Sequence, residues 1–229
     1  MILYGASGHC KVIIEILEAL GERIDFVVDD NPELSELLGY EVRRNTGNYD
    51  EALISIGSAQ IRKKIVERLQ VNHYKTAIHP TAIISPRARI GEGTVVMHGA
   101  IVQSCVSIGR HCIVNSGASI DHECSIAVFV HIAPHATLSG NVIVGEGTWI
   151  GVGAVVKQGV KIGSWCMIGA GAVVIEDIPD GITVVGVPAK DISQKRLNMN
   201  RFSSNNGGGV KISSKCLLRQ KERRVNYAA

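Results

Sequence analysis

The sequence predicts a small Rossmann-like β-α-β subdomain followed by a parallel β-helix of hexapeptide repeats. Three observations carry that prediction. Every sixth residue from Ile78 to Val174 is aliphatic, 17 in succession without a break. The segment 1–76 lacks this period and instead reads strand, glycine turn, helix, strand. Glycine is abundant (25) while aromatics make up only 4% of the 229 residues, which suits short strands and tight corners better than a packed helical core.

Ile2-Leu3-Tyr4 is a short apolar run that ends in Gly5-Ala6-Ser7-Gly8-His9. Cys10 to Leu20 then has helical periodicity through Val12, Ile13, Ile16, Leu17 and Leu20, and Gly21 stops it. Ile24–Val28 reads as a second strand closing in Asp29-Asp30, and Leu53–Ile56 as another. Gly57 and a helix from about Gln60 to Leu69 follow. The turn Gly5-x-x-Gly8 between strand and helix offers backbone N–H groups to a phosphate. Asp29 or Asp30 stands where a ribose or base is held. Cys10 replaces the third glycine of the dinucleotide fingerprint, which weighs against NAD. A bare β-α turn without ligand stays open beside nucleotide binding.

A period of six fits neither an α-helix nor a long alternating strand. It fits a short strand plus a corner, and three such units close one triangular coil. Positions 18 apart then stack on adjacent coils about 4.8 Å apart, and each coil buries its face only against its neighbours. Seventeen units make between five and six coils. Small side chains recur four positions after each aliphatic, as at Ala100, Cys112, Ala118, Cys124, Ala136 and Cys166, and glycine often follows the aliphatic directly, as at Gly91, Gly109 and Gly145.

Asp121-His122-Glu123-Cys124 occupies one corner of such a coil. Ile120 points inward, so His122 is exposed after it. Gly140, one full coil further along the chain, stands one rung above and leaves its N–H open to a developing oxyanion. His131, half a coil from His122, falls on the opposite side of the prism, so the two meet only across two subunits. His98, His111 and His135 read as solvated corner residues. No two histidines fall one or two full coils apart, so no metal is expected. Cys112, Cys124 and Cys166 sit at the small inward position and read as core.

Val184-Val185-Gly186-Val187-Pro188-Ala189-Lys190 reads as a compact loop with a cation, suited to a cofactor with phosphates and an adenine. Beyond it the period is gone. The net charge of +3 is a property of the tail from Ser193, which carries nine basic residues and Glu222, hence +8 and −5 for the rest. A Gly207-Gly208-Gly209 run and a Ser/Asn cluster suggest a flexible tail, with a helix near 214–224 as the alternative. No apolar run reaches the ~20 residues that span a bilayer, and the N-terminus lacks the features of a signal peptide. A cytoplasmic protein with free thiols is expected, with no nucleic-acid partner and no membrane insertion.

These pieces resemble the bacterial sugar acyltransferases that join a small nucleotide domain to a left-handed β-helix. That family includes the bacillosamine-pathway UDP-4-amino-sugar N-acetyltransferases and the sialic acid O-acetyltransferases. The resemblance covers about residues 1–191. It rests on GASGH at 5–9, DD at 29–30, IG at 56–57 with Arg62, HP at 79–80, DHEC at 121–124, SGNV at 139–142 and GVPAK at 186–190. It implies a left-handed coil, a nucleotide-sugar-binding domain over 1–76, a catalytic acetyl-CoA domain over 77–191 and a separate tail over 192–229. It further implies His122 as general base tuned by Glu123, and nucleotide-sugar contacts from Ser7, Gly8, His9, Asp29, Asp30 and Gly57. Acetyl-CoA contacts are implied for His131, Gly140, Val152 and Ala170, in a homotrimer. N-acetylation of a nucleotide-linked, UDP-type 4-amino-sugar is the expected reaction. O-acetylation of sialic acid or another hydroxyl, and a catalytically silent nucleotide-sensing scaffold, are the alternatives.

Overall fold

Three hydrophobic cores build the described part of the chain, two against the head's sheet and one inside the solenoid. The computed structural model describes residues 1–193; the expected flexible tail and its alternative helix lie beyond Ser193, outside the described residues. The head runs β1 (Ile2–Tyr4), α1 (Gly8–Ala19), β2 (Phe26–Val28), β3 (Glu36–Leu37), β4 (Tyr40–Arg43), β5 (Asn48–Ile54), α2 (Ala59–Arg68) and β6 (Gln70–Tyr74). Its sheet has the order β3-β4-β2-β1-β5-β6 and is parallel except for the β3–β4 hairpin.

Alternation along β1 explains why the run Ile-Leu-Tyr is apolar throughout. Leu3 faces the core under α1, while Ile2 and Tyr4 face the core under α2. α1 is buried from two sides: Ile13, Ile14, Ile16 and Leu17 pack with Leu3, Val27 and Leu53 of the sheet and with Ala77, Val95, Met97 and Ile113 of the β-helix. The helix is therefore the wall common to head and solenoid. Sequence periodicity misses β3, β4 and β6. The hairpin turns through Leu38 and Gly39 at φ 49° and 85°, and β6 is an edge strand of mostly exposed polar residues. β4 does alternate, Tyr40 and Val42 inward and Glu41 and Arg43 outward, but over four residues only; β6 shows no such pattern.

The hexad reading holds at every unit. Seventeen two-residue strands from β7 (Ala77–Ile78) to β23 (Val173–Val174) recur at the period of six, and each ends on the inward aliphatic. Pairing is parallel, each strand with the one a full coil on, as in Val96↔Val114 and Ile120↔Leu138. Three sheets result. The first carries Ala77, Val95, Ile113, His131, Trp149 and Met167 outward, the second Ile83 to Val173, the third Arg89 to Lys161. One core fills the prism, with Cys112, Cys124 and Cys166 buried in it as expected. β24 (Thr183–Val185) and β25 (Lys190–Asp191) close the far end.

The corners follow a rule that the aliphatic period does not show. The third residue after each inward aliphatic, from Gly93 through Gly171, has positive φ near 60°. Seven of these positions are not glycine: Cys105, His111, Glu123, Phe129, His135, Asn141 and Trp165. A left-handed non-glycine residue costs about 1–2 kcal/mol, so such a side chain calls for a compensating role. Glycines directly after the aliphatic answer a different need. A Cβ on Gly145 would lie 2.5 Å from the backbone of Gly163 on the next coil.

One sequence expectation is corrected here. His111 is not solvated; it is 1% exposed, with its ring edge-on to Tyr74 at 4.5 Å and stacked on Phe129 at 5.3 Å. The head covers this corner, and a solenoid pattern carries no record of that cover. His98 stacks on His79 at 3.7 Å, whereas His135 is exposed as expected.

Candidate active site

The head's site lies at the C-terminal ends of β1 and β5, where the strand order reverses. Gly5 makes the turn possible: φ is 108°, and a Cβ there would sit 2.5 Å from Ile56 Cγ1. Ser7 is the N-cap of α1, yet its side chain makes no capping bond, so Ser7 and Gly8 face outward. The Asp29 carboxylate accepts the Ala6 N–H at 2.7 Å and the Asn31 N–H at 2.8 Å. It therefore shapes the glycine turn from below. Asp30, exposed just past the end of the interior strand β2, pairs with Arg68 at 3.2 Å and accepts from the Tyr4 hydroxyl. Burial, with the nearby Asp30 carboxylate, pushes Tyr4 up to about 12.

His9, Gly57 and His131 meet in the seam between head and solenoid. The His131 ring is 4% exposed; its Nδ1 lies 3.2 Å from the Gly57 carbonyl and its Nε2 3.1 Å from Asn115 Nδ2. Those partners assign the proton to Nδ1. Burial lowers His131 to about 3 and His9 to about 4, so both rings are neutral near pH 7. The rings stand 6.2 Å apart, and among the described residues His9 Nε2 has no partner. His131 also contacts Trp149 at 4.0 Å.

Arg62 fastens this seam. It is 1% exposed, with Nη1 donating to the carbonyls of Ile56 and Gly57, Nε to that of His111 and Nη2 to that of Phe129. Loss of water lowers it to about 10, still charged near pH 7. The sequence marks Arg62 only as part of a motif. A usable signal is its place on the same apolar stripe of α2 as Ile65, three positions on. Sequence reasoning also misses Asn115 and Trp149, and nothing in the hexad period points to them.

His122 stands on a different corner, between the second and third sheets, and its ring is about half exposed. Its Nδ1 lies 3.3 Å from Glu123 Oε2, and its backbone N–H donates to Asp121 Oδ1 at 2.7 Å. Glu123 holds this position from a left-handed backbone, φ 61°. Gly140 is one rung above, as the coil count requires: a Cβ there would lie 2.5 Å from His122 Cε1 and 2.6 Å from Nε2. Among the described residues the Gly140 N–H donates no hydrogen bond. With Nδ1–H on Glu123, Nε2 is left to accept a proton beside an open donor. Val152 and Ala170, one coil apart and exposed, share the corner between the first and second sheets. Lys190 lines a pocket of about 470 Å³ at the end of the solenoid. Among the described residues no group of three metal-ligating side chains converges.

Comparison with known proteins agrees with this division. Residues 1–69 match the PglD N-terminal domain, and residues 87–122 and 141–176 match the bacterial transferase hexapeptide repeats. A perosamine N-acetyltransferase mutant from Caulobacter crescentus, solved with CoA and GDP-perosamine, is 36% identical. It superposes with a TM-score of 0.78 over 83% of this chain and 95% of that one. The acetyltransferase domain of PglB from Neisseria gonorrhoeae is 39% identical, with a TM-score of 0.78 over 83% of this chain and 98% of that one; it is also known with acetyl coenzyme A bound. The UDP-N-acetylbacillosamine N-acetyltransferase of Bacillus subtilis is 42% identical over 108 residues, 42% of this chain and 50% of that protein, so the match spans half of that relative. Fold and site together define a hexapeptide-repeat acyltransferase. The chain belongs to the acetyl-CoA-dependent sugar N-acetyltransferases that carry a PglD N-terminal domain.

Proposed function

We propose that this chain moves an acetyl group from acetyl-CoA to the amino group of a UDP-linked 4-amino-sugar, as a cytoplasmic homotrimer, with His122 as general base. The observation that carries the reading is the His122 corner: Nδ1 against Glu123, Nε2 free, and the Gly140 rung open above it. The acceptor amine attacks the thioester carbonyl while Nε2 takes its proton. The oxyanion of the tetrahedral intermediate faces the Gly140 N–H. The C–S bond then breaks, and the imidazolium returns its proton to the CoA thiolate. Ser7, Gly8, His9, Asp30 and Gly57 hold the nucleotide-sugar, and Asp29 holds the turn that contacts it. Val152, Ala170 and His131 border the path of acetyl-CoA.

The two corners flank the second sheet, whose outward residues Ile83, Ile101, Ser119, Thr137, Val155 and Val173 carry no charge. A second copy against that sheet would bring the donor corner of one chain toward the base corner of the next. This supports the trimer, and a monomer in sedimentation at micromolar concentration would refute it.

The curated relative is named for a UDP-sugar and a solved relative holds GDP-perosamine, so the nucleotide is the point to test. Acetyl-CoA is mixed with UDP- and GDP-linked 4-amino-hexoses and with sialic acid, and free thiol is followed. Thiol release with the UDP-linked amine is expected, falling about 100-fold or more in His122→Ala. Release with sialic acid alone would overturn N-acetylation, and near-normal activity of His122→Ala would overturn the base.

A further inference from the structure

Among the described residues the buried arginine and histidine side chains are Arg62, His111 and His131, and all three lie in the seam between head and solenoid. His9, slightly more open, reaches the same seam from α1. The core inside the prism is different, because it consists of aliphatic and cysteine side chains alone. Side chains that can carry a positive charge are therefore buried at one joint of the molecule and absent from the core of the prism.

That joint has no place for a second positive charge. Arg62 already brings one. Burial lowers all three histidines, and the Arg62 charge adds to the effect in each case. His111 faces the Tyr74 ring of β6, the Phe129 ring of the following coil and the Arg110 guanidinium, whose own partner is Glu92 at 2.7 Å. His131 faces the Gly57 carbonyl, the Asn115 amide, the Trp149 ring and His9. Among the described residues histidine pairs with a carboxylate only at His73 and His122, so the seam holds no counter-ion for a protonated ring. Among those residues neither ring nitrogen of His111 has a hydrogen-bond partner, nor has the Tyr74 hydroxyl. A proton on one of these rings is a buried, unpaired charge near another of the same sign.

Water can relieve that charge only by entering the seam. The prism is held by ladders between coils, whereas the head is held by α1 on the first sheet, by Arg62 and by Lys63 on Glu146 at 2.6 Å. We propose that the seam is an acid-operated joint: proton uptake by His9, His111 and His131 separates the head from the first sheet while the solenoid stays folded. On the acetyl-transfer reading above, opening also parts the nucleotide-holding Gly57 from His131 and stops the reaction. The direction follows from linkage. A histidine depressed in the closed seam binds its proton more tightly once the seam is open, so falling pH drives opening. One ring at about 4 when closed, against an ordinary 6.5 when open, favours opening about 30-fold at pH 5.

Thiol labelling of the full chain with a pyridyl disulfide tests the joint. Cys105 is exposed, whereas Cys112, Cys124 and Cys166 are buried inside the prism. Ala77→Cys adds a thiol to the seam, since Ala77 is fully buried where the first sheet meets α1. Labelling is followed by peptide mass spectrometry, with Cys105 as the reference for the reagent's own pH dependence. From pH 7 to pH 5 the seam thiol is expected to label about 100-fold faster relative to Cys105. The three prism thiols should stay silent, and return to pH 7 should restore protection. In His111→Phe, with one ring fewer to protonate, the gain should be about tenfold smaller. Trp149, 4.0 Å from the His131 ring, gives a second reading without any substitution: acrylamide quenching should rise at pH 5 with far-UV circular dichroism unchanged. A seam thiol as protected at pH 5 as at pH 7, or constant quenching, overturns the proposal. So does labelling of the prism thiols in step with the seam thiol, which is unfolding of the whole chain rather than opening of a joint. UDP or GDP should slow the acid labelling; if the joint opens and neither nucleotide slows it, the joint stands and the nucleotide reading of Gly57 and His9 falls.

Discussion

His111 and His122 sit on two corners of one coil, and each stands against a glycine of a neighbouring coil: Gly93 for His111, Gly140 for His122. Their fates differ completely. Tyr74, Phe129 and the Arg62 bond to its carbonyl enclose His111. His122 stays open beside Glu123. The solenoid supplies the same kind of glycine-backed corner to both. Whether the head lies on that corner decides whether the histidine is enclosed or left open to solvent.

The matching glycines separate the two roles. Gly140→Ala keeps an ordinary backbone but places a methyl 2.5 Å from the His122 ring. Moving a catalytic group by about 1 Å costs roughly 100-fold, so kcat is expected to fall by that much with little change in the urea midpoint. Gly93→Ala meets the His111 ring and a φ of 70°; strain and overpacking together predict a loss of about 2–4 kcal/mol in urea unfolding, with kcat of the folded enzyme preserved. Equal effects of the two substitutions on kcat would erase the distinction. Arg62→Met removes the donor from the carbonyls of Ile56, His111 and Phe129, and leaves Gly57 with His131 alone; it is expected to lower stability by about 3 kcal/mol. Arg62→Lys recovers only part, because one ammonium cannot reach carbonyls on both sides of the seam. Glu123→Gln sits at the small end. The pair is largely exposed, 48% and 66%, so a drop in kcat of about fivefold or less is expected, read in the same thiol assay.

The contrast also explains what is legible in the sequence. In the solenoid each coil touches only its neighbours, so counting by coils suffices to put Gly140 over His122 and His131 on the opposite side of the prism. Contacts of the head with the solenoid span long sequence distances, such as Arg62 to Phe129 or Gly57 to His131. No period encodes them, and the solvated reading of His111 fails for that reason. Asp29 shows a subtler limit. Its position at the strand end is readable, but its bond to the Ala6 N–H gives the carboxylate a structural task inside the turn. The left-handed corner position is hidden because only half of its occupants are glycine.

Acid sensitivity gives the finest test of the covered corner. Burial, with Arg110 and Arg62 nearby, lowers His111 to about 4, and burial likewise lowers His9 and His131. A histidine depressed in the folded state takes up its proton first in the unfolded chain, whose pKa is about 6.5. Its contribution is therefore complete above about pH 6.5 and is lost progressively as pH falls toward 4. Urea unfolding at pH 7 and pH 5 should show the wild type weaker at pH 5. His111→Phe keeps a flat ring between Tyr74 and Phe129 and removes the proton uptake, so its loss between the two pH values should be smaller. His135→Gln, on an exposed corner, should follow the wild type. If His111→Phe lost as much as the wild type, the proton uptake would lie elsewhere in the seam, at His9 or His131. The enclosed corner would then be a packing site without a titration of its own.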